Sequence, residues 1–305
     1  RDSMSTVRQT RDASLEELVT QSRPRLARML AHGTTTVEIK TGYGLNIQDE
    51  LKQLAAIRRL KEETPATLVS TFLGAHAVPA EYAGQEDAYV ELVAQEMLPT
   101  VAAEGDAPAF CDVFCEEGAF TLEQSRRVLE AAKSLGFGLK IHVDEFRALG
   151  GTRLAVALGA VSADHLVCTP PEEIDLLAQS ETMAVALPGT PFGLGHDHYT
   201  PARVLIEAEG AVALATDCNP GTCWCESMQF MIALACRYMG MTPAEAISAA
   251  TINAAHAVGL GSEVGSLEPG KRADITILDA ASYAVLGYRF GTNLVRTVFA
   301  AGQKI

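Results

Sequence analysis

The stretch that decides the fold is residues 211–222, AVALATDCNPGT. It begins as a run of small and β-branched apolar residues and changes abruptly at Asp217, Asn219 and Gly221. A short apolar run bounded by turn residues is typical of a buried strand in a parallel sheet. A carboxylate at the carboxyl end of such a strand lies where α/β barrels carry their chemistry. Taken alone, Asp217 is explained equally well as a cap for the following turn.

Composition limits the classes of protein to consider. The 305 residues are 48% hydrophobic and 20% charged, which is a globular composition with room for one large α/β domain and a small appendage, or for two domains. The net charge of −14 and the lack of a basic run argue against a nucleic-acid partner. No apolar run approaches the roughly 20 residues of a spanning helix, so no membrane partner is expected. The seven scattered cysteines suit reduced thiols in a cytoplasmic protein.

Seven strands alternate with helical segments along most of the chain. They are predicted at residues 34–40, 66–77, 109–115, 138–145, 162–167, 182–188 and 211–217. Such alternation predicts parallel βαβ units and, at this length, a (β/α)8 TIM-like barrel that lacks one strand at its N-terminal edge. Residues 1–14 are expected to be irregular, and Pro24 is expected to break or kink a helix over residues 15–32.

The tail of the chain changes character at residue 265. Residues 265–305 contain short strands joined by Pro-Gly and Ala-Gly turns. We therefore predict a barrel domain over residues 1–264 and part of a small β-sandwich domain over residues 265–305.

Three metal-ligating side chains follow different predicted strands. His142, His165 and Asp217 each lie at or near a carboxyl end, and a barrel brings such ends to one rim. Imidazole nitrogen and carboxylate oxygen are ligands that zinc or iron takes in hydrolytic sites. Glu145 lies close enough to His142 in the chain to serve the same pocket as an acid, a base or a substrate acceptor. Each residue alone is a weak signal, but the three together favour a metal site.

Other polar groups are weaker candidates. His196 and His198 form a His-x-His pair in a Gly-rich loop, which suits a metal only if both lie on one face of a strand. Cys223 and Cys225 form a single Cys-x-Cys without a partner pair. For Lys40, which ends a strand, a bridging or Schiff-base role is one alternative, and a stem that lines the barrel mouth is the favoured one. Dinucleotide, nucleotide and serine-hydrolase motifs do not occur in the sequence.

A series of motifs resembles the imidazolonepropionase family of the amidohydrolase superfamily, in order across nearly the whole chain. They are STVRQTR (5–11), VEIKTGYGLN (37–46), TFLGAHAVPAEYAG (71–84), DVFCEEGAF (112–120), KIHVDE (140–145), SADHL (162–166), ATDCNPGT (215–222) and GSLEPGKRADITILD (265–279). The most specific are GAHAVP and ATDCNPGT, although the latter and LEPGKRAD occur in looser form in many amidohydrolases.

The resemblance implies a distorted barrel with one zinc or iron ion. It implies hydrolysis of 4-imidazolone-5-propanoate, a small molecule, to N-formimidoyl-L-glutamate in histidine degradation, and a homodimer. By motif match it makes His142 and Asp217 metal ligands, with Glu145, His165 and Asp217 catalytic. The substrate would be bound by residues Tyr43, His76, Glu145, Asn219, Gly221 and Thr222.

The sequence departs from the family pattern at its start and in two loops. The family's first barrel strand carries a His-x-His pair that supplies two further metal ligands, and no such strand precedes STVRQTR here. We therefore expect the N-terminal quarter of the protein to lie upstream of Arg1, and the chain as written to show weak or absent metal binding and no turnover. The loops TPFGLGHDHYTPAR (190–203) and CWCESM (223–228) also differ, and both border the expected pocket.

Two other functions fit the same residues. One is another amidohydrolase, such as a deaminase acting on a cyclic amidine or a nucleobase, which would share His142, His165 and Asp217. The other is an inactive barrel that serves as a binding protein, which would not need the intact set of His142, Glu145, His165 and Asp217.

Overall fold

Seven parallel strands form the main sheet of the computed structural model, which describes residues 3–305. In chain order they are β1 (Thr36–Lys40), β2 (Thr67–Ala75), β3 (Phe110–Cys115), β4 (Gly138–Val143), β5 (Ser162–His165), β6 (Met183–Ala186) and β7 (Val212–Leu214). Each strand pairs with the next one along the chain, so β1 and β7 are the two edges of the sheet. The result is an open barrel, one strand short of a closed (β/α)8 barrel.

Helices connect the strands, as the βαβ pattern predicts. They are α1 (Ser3–Asp12), α2 (Leu15–Ala31), α3 (Ile47–Glu63), α4 (Glu86–Leu92), α5 (Leu98–Ala102), α6 (Leu122–Ser134), α7 (Gly151–Leu158), α8 (Pro171–Ala178), α9 (Gly189–Leu194), α10 (Ala202–Glu207), α11 (Met228–Tyr238), α12 (Pro243–Ser248) and α13 (Ala254–Ala257). Single π-helical turns at Val93–Met97 and Ala249–Asn253 join α4 to α5 and α12 to α13. Within residues 3–305, no helix combines the length and the apolar composition that crossing a membrane requires.

Side chains cap several of these helices where the sequence changes from strand to helix. Ser14 begins α2 and Thr121 begins α6, each in a capping box with the residue three positions later. Asn46 caps α3 by accepting a hydrogen bond from the backbone N–H of Asp49. These caps satisfy backbone donors that the first helical turn leaves free.

Three predicted local features differ in the structure. Residues 3–12 form α1 rather than an irregular segment, and Arg11 ties it to the barrel through the carbonyl of Gly44 at 2.7 Å. Helix α2 runs through Pro24 without interruption. Strand β7 ends at Leu214, before Asp217, which adopts a left-handed φ of 48° that a strand does not allow.

A second, antiparallel sheet lies in the tail. It consists of β8 (Ile275–Leu278), β9 (Val295–Ala300) and β10 (Gln303–Lys304) in the order β10-β9-β8. Gly33 allows this sheet to approach the end of α2, because a Cβ there would lie 2.9 Å from Thr276. Gln229 on α11 accepts a hydrogen bond from the backbone N–H of Leu294 at 2.9 Å. The small β-unit therefore packs directly against the barrel.

Candidate active site

A cavity of about 1460 Å³ lies within the open barrel. All the predicted site residues line it, namely Tyr43, His76, His142, Glu145, His165, Asp217, Asn219, Gly221 and Thr222. They come from the ends of different strands and the loops that follow, because parallel strands place their carboxyl ends at one rim.

Aromatic and imidazole rings form one wall of this cavity. The ring of Tyr43 meets His76 edge-on, with 5.1 Å between centroids. Phe114 lies between His76 and His142, at 6.2 Å and 5.9 Å from their rings. The rings of His142 and His165 are 5.2 Å apart. Side chains from β3, β4 and β5 and from the loops after β1 and β2 therefore meet in one pocket.

The backbone is strained where the strands end. Asp144, His165, Leu166 and Asp217 all have positive φ, between 48° and 80°. Residues other than glycine adopt this region at a cost of order 1–3 kcal/mol, and such residues concentrate at functional sites. Two of these residues, His165 and Asp217, line the cavity.

Two contacts connect the acidic groups of the pocket to their neighbours. The Thr190 hydroxyl donates to Asp217 Oδ2 at 2.5 Å and so holds that carboxylate from α9. Glu145 Oε2 lies 3.5 Å from Nε2 of His165. The Nδ1 atom of His165 is buried and has no hydrogen-bond partner among the described residues.

Burial shifts the protonation of the Glu145 and His165 pair. It raises the pKa of Glu145 to about 8, and the negative charge of Asp217 contributes to the same shift. It lowers the pKa of His165 to about 4. Near neutral pH the pair therefore consists of a protonated carboxyl and a neutral imidazole, which is an acid beside a base.

The side chains of Tyr43 and His76, at the other end of this row of rings, are uncharged near neutral pH. Burial and the charge of Asp217 raise the pKa of Tyr43 to about 12, so its hydroxyl keeps its proton. Burial lowers the pKa of His76 below its usual value. His76 Nδ1 lies 2.9 Å from the Gly42 carbonyl and donates to it, which leaves Nε2 as the acceptor nitrogen of the neutral ring.

The Asn219 side chain organises the turn that follows Asp217. Its Oδ1 accepts hydrogen bonds from the backbone N–H groups of Gly221 and Thr222, both at 2.8 Å. Its Nδ2 donates to the Asp217 carbonyl at 2.8 Å and to the Thr222 hydroxyl at 3.0 Å. Because both polar atoms are used inside the turn, Asn219 acts on the pocket by shaping this loop.

A network of buried charges lies beneath the histidines. Lys40 Nζ lies 2.5 Å from Asp112 Oδ2 and 2.7 Å from Asp164 Oδ2, so its ammonium group bridges two interior carboxylates. Burial alone would lower the pKa of Lys40, but the two carboxylates outweigh it and raise the pKa well above its usual value. Lys40 lines the cavity, as predicted, and its charge is paired with two carboxylates inside the barrel.

Asp112 also holds His142. The Nδ1 atom of His142 lies 3.0 Å from Asp112 Oδ1, which leaves Nε2 available to a metal ion. Asp112, His142 and Asp164 have ligand atoms within 4.8 Å of one another and could themselves hold an ion. Since Lys40 already bridges the two carboxylates of this group, an ion between them would have to displace its ammonium group.

Sequence reasoning did not select Asp112, Asp164 or Thr190. Asp112 and Asp164 could have been identified as single acidic residues within the apolar strands AFCDVFC and SADHL, because a buried carboxylate requires a buried partner. The contact of Thr190 with Asp217 could not be predicted, because the sequence pattern did not predict α9.

The weaker candidates lie outside this constellation. His196 and His198 are exposed in the loop after α9, where His196 contacts Phe146 ring to ring at 6.2 Å. Cys223 is buried, and Cys225 is partly buried.

Solved structures share this fold at low sequence identity. The chain superimposes on an adenosine deaminase from Xanthomonas campestris with bound zinc, with a TM-score of 0.72 and 21% identity, covering 96% of this chain and 70% of that one. A guanine deaminase from E. coli gives a TM-score of 0.75 at 15% identity, covering 98% of this chain and 76% of that one. At these identities the similarity establishes the architecture alone.

Sequence comparison is more specific. The amidohydrolase family model matches residues 3–305. An imidazolonepropionase from Herpetosiphon aurantiacus is 57% identical over 99% of this chain and 72% of its own length. One from Alkaliphilus oremlandii is 51% identical over 98% of this chain and 71% of its own length. The chain belongs to the amidohydrolase family and, within it, to the imidazolonepropionases.

Proposed function

We propose that this protein hydrolyses the ring amide C–N bond of 4-imidazolone-5-propanoate, giving N-formimidoyl-L-glutamate in histidine degradation. One observation carries the proposal: a chain 57% identical to an imidazolonepropionase places His142, Glu145, His165 and Asp217 on one cavity. In the reaction, water adds to the ring carbonyl carbon, the C–N bond breaks, and the departing nitrogen takes a proton.

His142 and Asp217 are the proposed ligands of one zinc or iron ion. Two features of the pocket fit an ion: Asp112 orients His142 through Nδ1, and Thr190 orients Asp217 through Oδ2. Imidazole and carboxylate together suit zinc and iron, and further ligands would complete the shell. When bound, such an ion supplies Lewis acidity that activates water and polarises a carbonyl group.

Glu145 and His165 carry the proton transfers in this proposal. Neutral His165 accepts the proton of the attacking water, with Asp217 positioning that water. Protonated Glu145 donates to the departing ring nitrogen. Their separation of 3.5 Å lets a proton return from the imidazole to the carboxylate after the bond has broken.

Tyr43 and His76 are the proposed contacts of the propanoate arm and the ring. The Tyr43 hydroxyl remains a donor because its pKa is raised to about 12, so it suits a carboxylate acceptor. The turn containing Gly221 and Thr222 would close the other side of the pocket, with its shape set by Asn219.

A direct assay tests this function. The metal-loaded, full-length protein is given 4-imidazolone-5-propanoate, cytosine and guanine in parallel, and products are followed by absorbance and mass. We expect turnover of the imidazolone alone. Release of ammonia from either nucleobase, without turnover of the imidazolone, would replace the proposal with a deaminase function.

A further inference from the structure

Glu50, on the first turn of α3, directs a buried carboxylate at the loop that carries Tyr43. Its side chain is fully buried, at 0% exposure. Its Oε1 accepts hydrogen bonds from the backbone N–H groups of Gly44 at 2.8 Å and Leu45 at 2.9 Å. The N–H of Gly42 lies 3.1 Å from Oε2. The Gln53 side chain donates to Oε1 at 3.2 Å. One carboxylate therefore accepts hydrogen bonds from three backbone N–H groups within residues 42–45.

The beginning of α3 does not need this carboxylate. Asn46 already caps the helix by accepting from the N–H of Asp49 at 2.8 Å. The donors that surround Glu50 come mainly from residues 42–45, which precede the helix. The Glu50 carboxylate therefore stabilises the loop and not the helix. Its burial raises the pKa of this carboxyl above the usual value.

The clamped loop is connected to both substrate-side residues. The Gly42 carbonyl accepts from His76 Nδ1 at 2.9 Å, while its N–H donates to Glu50. Gly42 has a φ of 110°, and a Cβ there would lie 2.8 Å from the Leu73 carbonyl. Tyr43 is the next residue, and its ring meets His76 edge-on. Moving Gly42 would therefore move the Tyr43 ring and release the hydrogen bond that sets the His76 tautomer.

We propose that Glu50 is a positioning residue, which fixes the 42–45 loop and thereby the placement of Tyr43 and His76 for the substrate. The role rests on the proposed function, since those two residues are the proposed substrate contacts. Glu50 acts through the loop, because it binds backbone N–H groups of the loop and the neighbouring Gln53 side chain. It therefore governs binding of substrate more than the bond-breaking step.

The test replaces Glu50 with Gln in the full-length, metal-loaded protein. The amide nitrogen of the new side chain would place donors opposite a backbone N–H, so the carboxylate's set of acceptors is broken without a change of shape. We expect faster hydrogen exchange confined to peptides covering residues 41–46. We also expect KM for the imidazolone to rise about tenfold while kcat stays within about threefold. Glu62→Gln, on the exposed face of the same helix, is the matched control and should change neither quantity.

The outcomes separate this role from general structural support. Unchanged exchange in residues 41–46, or a changed exchange with unchanged KM, would overturn it. Faster exchange throughout the barrel, with kcat falling together with KM rising, would show that Glu50 only stabilises the fold. A wild-type protein that fails to hydrolyse the imidazolone would overturn the proposed function instead, and the exchange comparison would still decide whether Glu50 holds the loop.

Discussion

Glu145 combines a buried carboxyl with a nearby negative charge. Its pKa in the folded protein is raised to about 8, against an ordinary value of 4.5. A raised pKa means that the group favours folding most below pH 4.5, and that this contribution is lost as pH rises through 8. Each unit of such a shift corresponds to about 1.4 kcal/mol.

In metal-free protein, Glu145→Gln removes the cost of ionising a buried carboxyl, so the melting temperature should exceed that of wild type by several degrees at pH 8. At pH 5 the two proteins should melt nearly together. Scanning calorimetry across this range provides the measurement, and parallel melting curves at all pH values would contradict the raised pKa. In the metal-loaded, full-length protein, the kcat of Glu145→Gln should fall about 10²- to 10⁴-fold, because the amide has no acidic proton to transfer.

Asp112 is a buried carboxylate between Lys40 and His142. It joins the interior ammonium of Lys40 to the imidazole of His142, and these two neighbours outweigh the effect of burial and lower the pKa of Asp112. Conversely, burial alone would lower the pKa of His142, but the adjacent Asp112 outweighs it and raises the pKa. The carboxylate therefore fixes which nitrogen of His142 faces the pocket.

Asp112→Asn should weaken metal binding by about 10- to 100-fold, because a neutral amide holds the His142 ring less firmly. Competition with a chelator of known affinity gives the dissociation constant. Asp175→Asn, at an exposed position on α8, serves as the control and should leave that constant unchanged. An unaltered affinity in Asp112→Asn would mean that His142 is oriented by its other neighbours.

At the scale of elements, the capping boxes account for where several helices begin. The Thr121 hydroxyl accepts from the backbone N–H of Gln124 at 3.2 Å, and the Gln124 side chain accepts from the N–H of Thr121 at 3.0 Å. Helix α6 packs behind β3 and β4, which carry Asp112 and His142, through its buried residues Val128 and Leu129.

Thr121→Ala should cost about 1 kcal/mol of folding free energy, since it leaves a backbone donor of α6 without its acceptor. Urea unfolding gives this free energy. Ser134→Ala at the other end of the helix removes only a hydroxyl that donates to the carbonyl three residues earlier, so it should cost less. Equal losses in the two variants would show that the cap is not the source.

The tail is a second element with its own geometry. Its antiparallel sheet contrasts with the parallel sheet before it, and we propose that the domain boundary lies between residues 264 and 265. The contacts of Gln229 with Leu294 and Asn293 tie the small sheet to α11, so we expect the two parts to unfold together.

At the scale of the whole molecule, charge opposes the proposed substrate. The chain carries a net charge of −14, and the imidazolone bears a propanoate. Long-range repulsion slows encounter, and salt screens it over a Debye length of about 8–10 Å near physiological ionic strength.

Raising sodium chloride from about 10 mM to about 150 mM should therefore increase kcat/KM severalfold on the anionic substrate. The methyl ester of the substrate lacks the carboxylate charge and should show little change. A fall in kcat/KM with salt would indicate instead that a local positive potential dominates at the pocket mouth.

The sequence by itself determined the alternation of strands and helices and, to within about three residues, where the strands end. Apolar runs, turn residues and the capping box at Thr121 are local, so they are readable without knowing what they contact. The same locality placed His142, His165 and Asp217 near one rim, because every parallel strand ends on the same side of its barrel. The local pattern did not predict α1, because this polar helix is stabilised by the contact of Arg11 with a loop distant in the chain.

Only the tertiary structure decided how the pocket is supported. Lys40 meets Asp112 across 72 residues of chain and Asp164 across 124. Thr190 meets Asp217 across 27 residues, from a helix that the pattern did not predict. The period of a strand shows that a charged side chain faces the interior, but strand register and loop path select its partner. Because those depend on the packing of the whole barrel, the groups that orient the site could be identified only once the chain was folded.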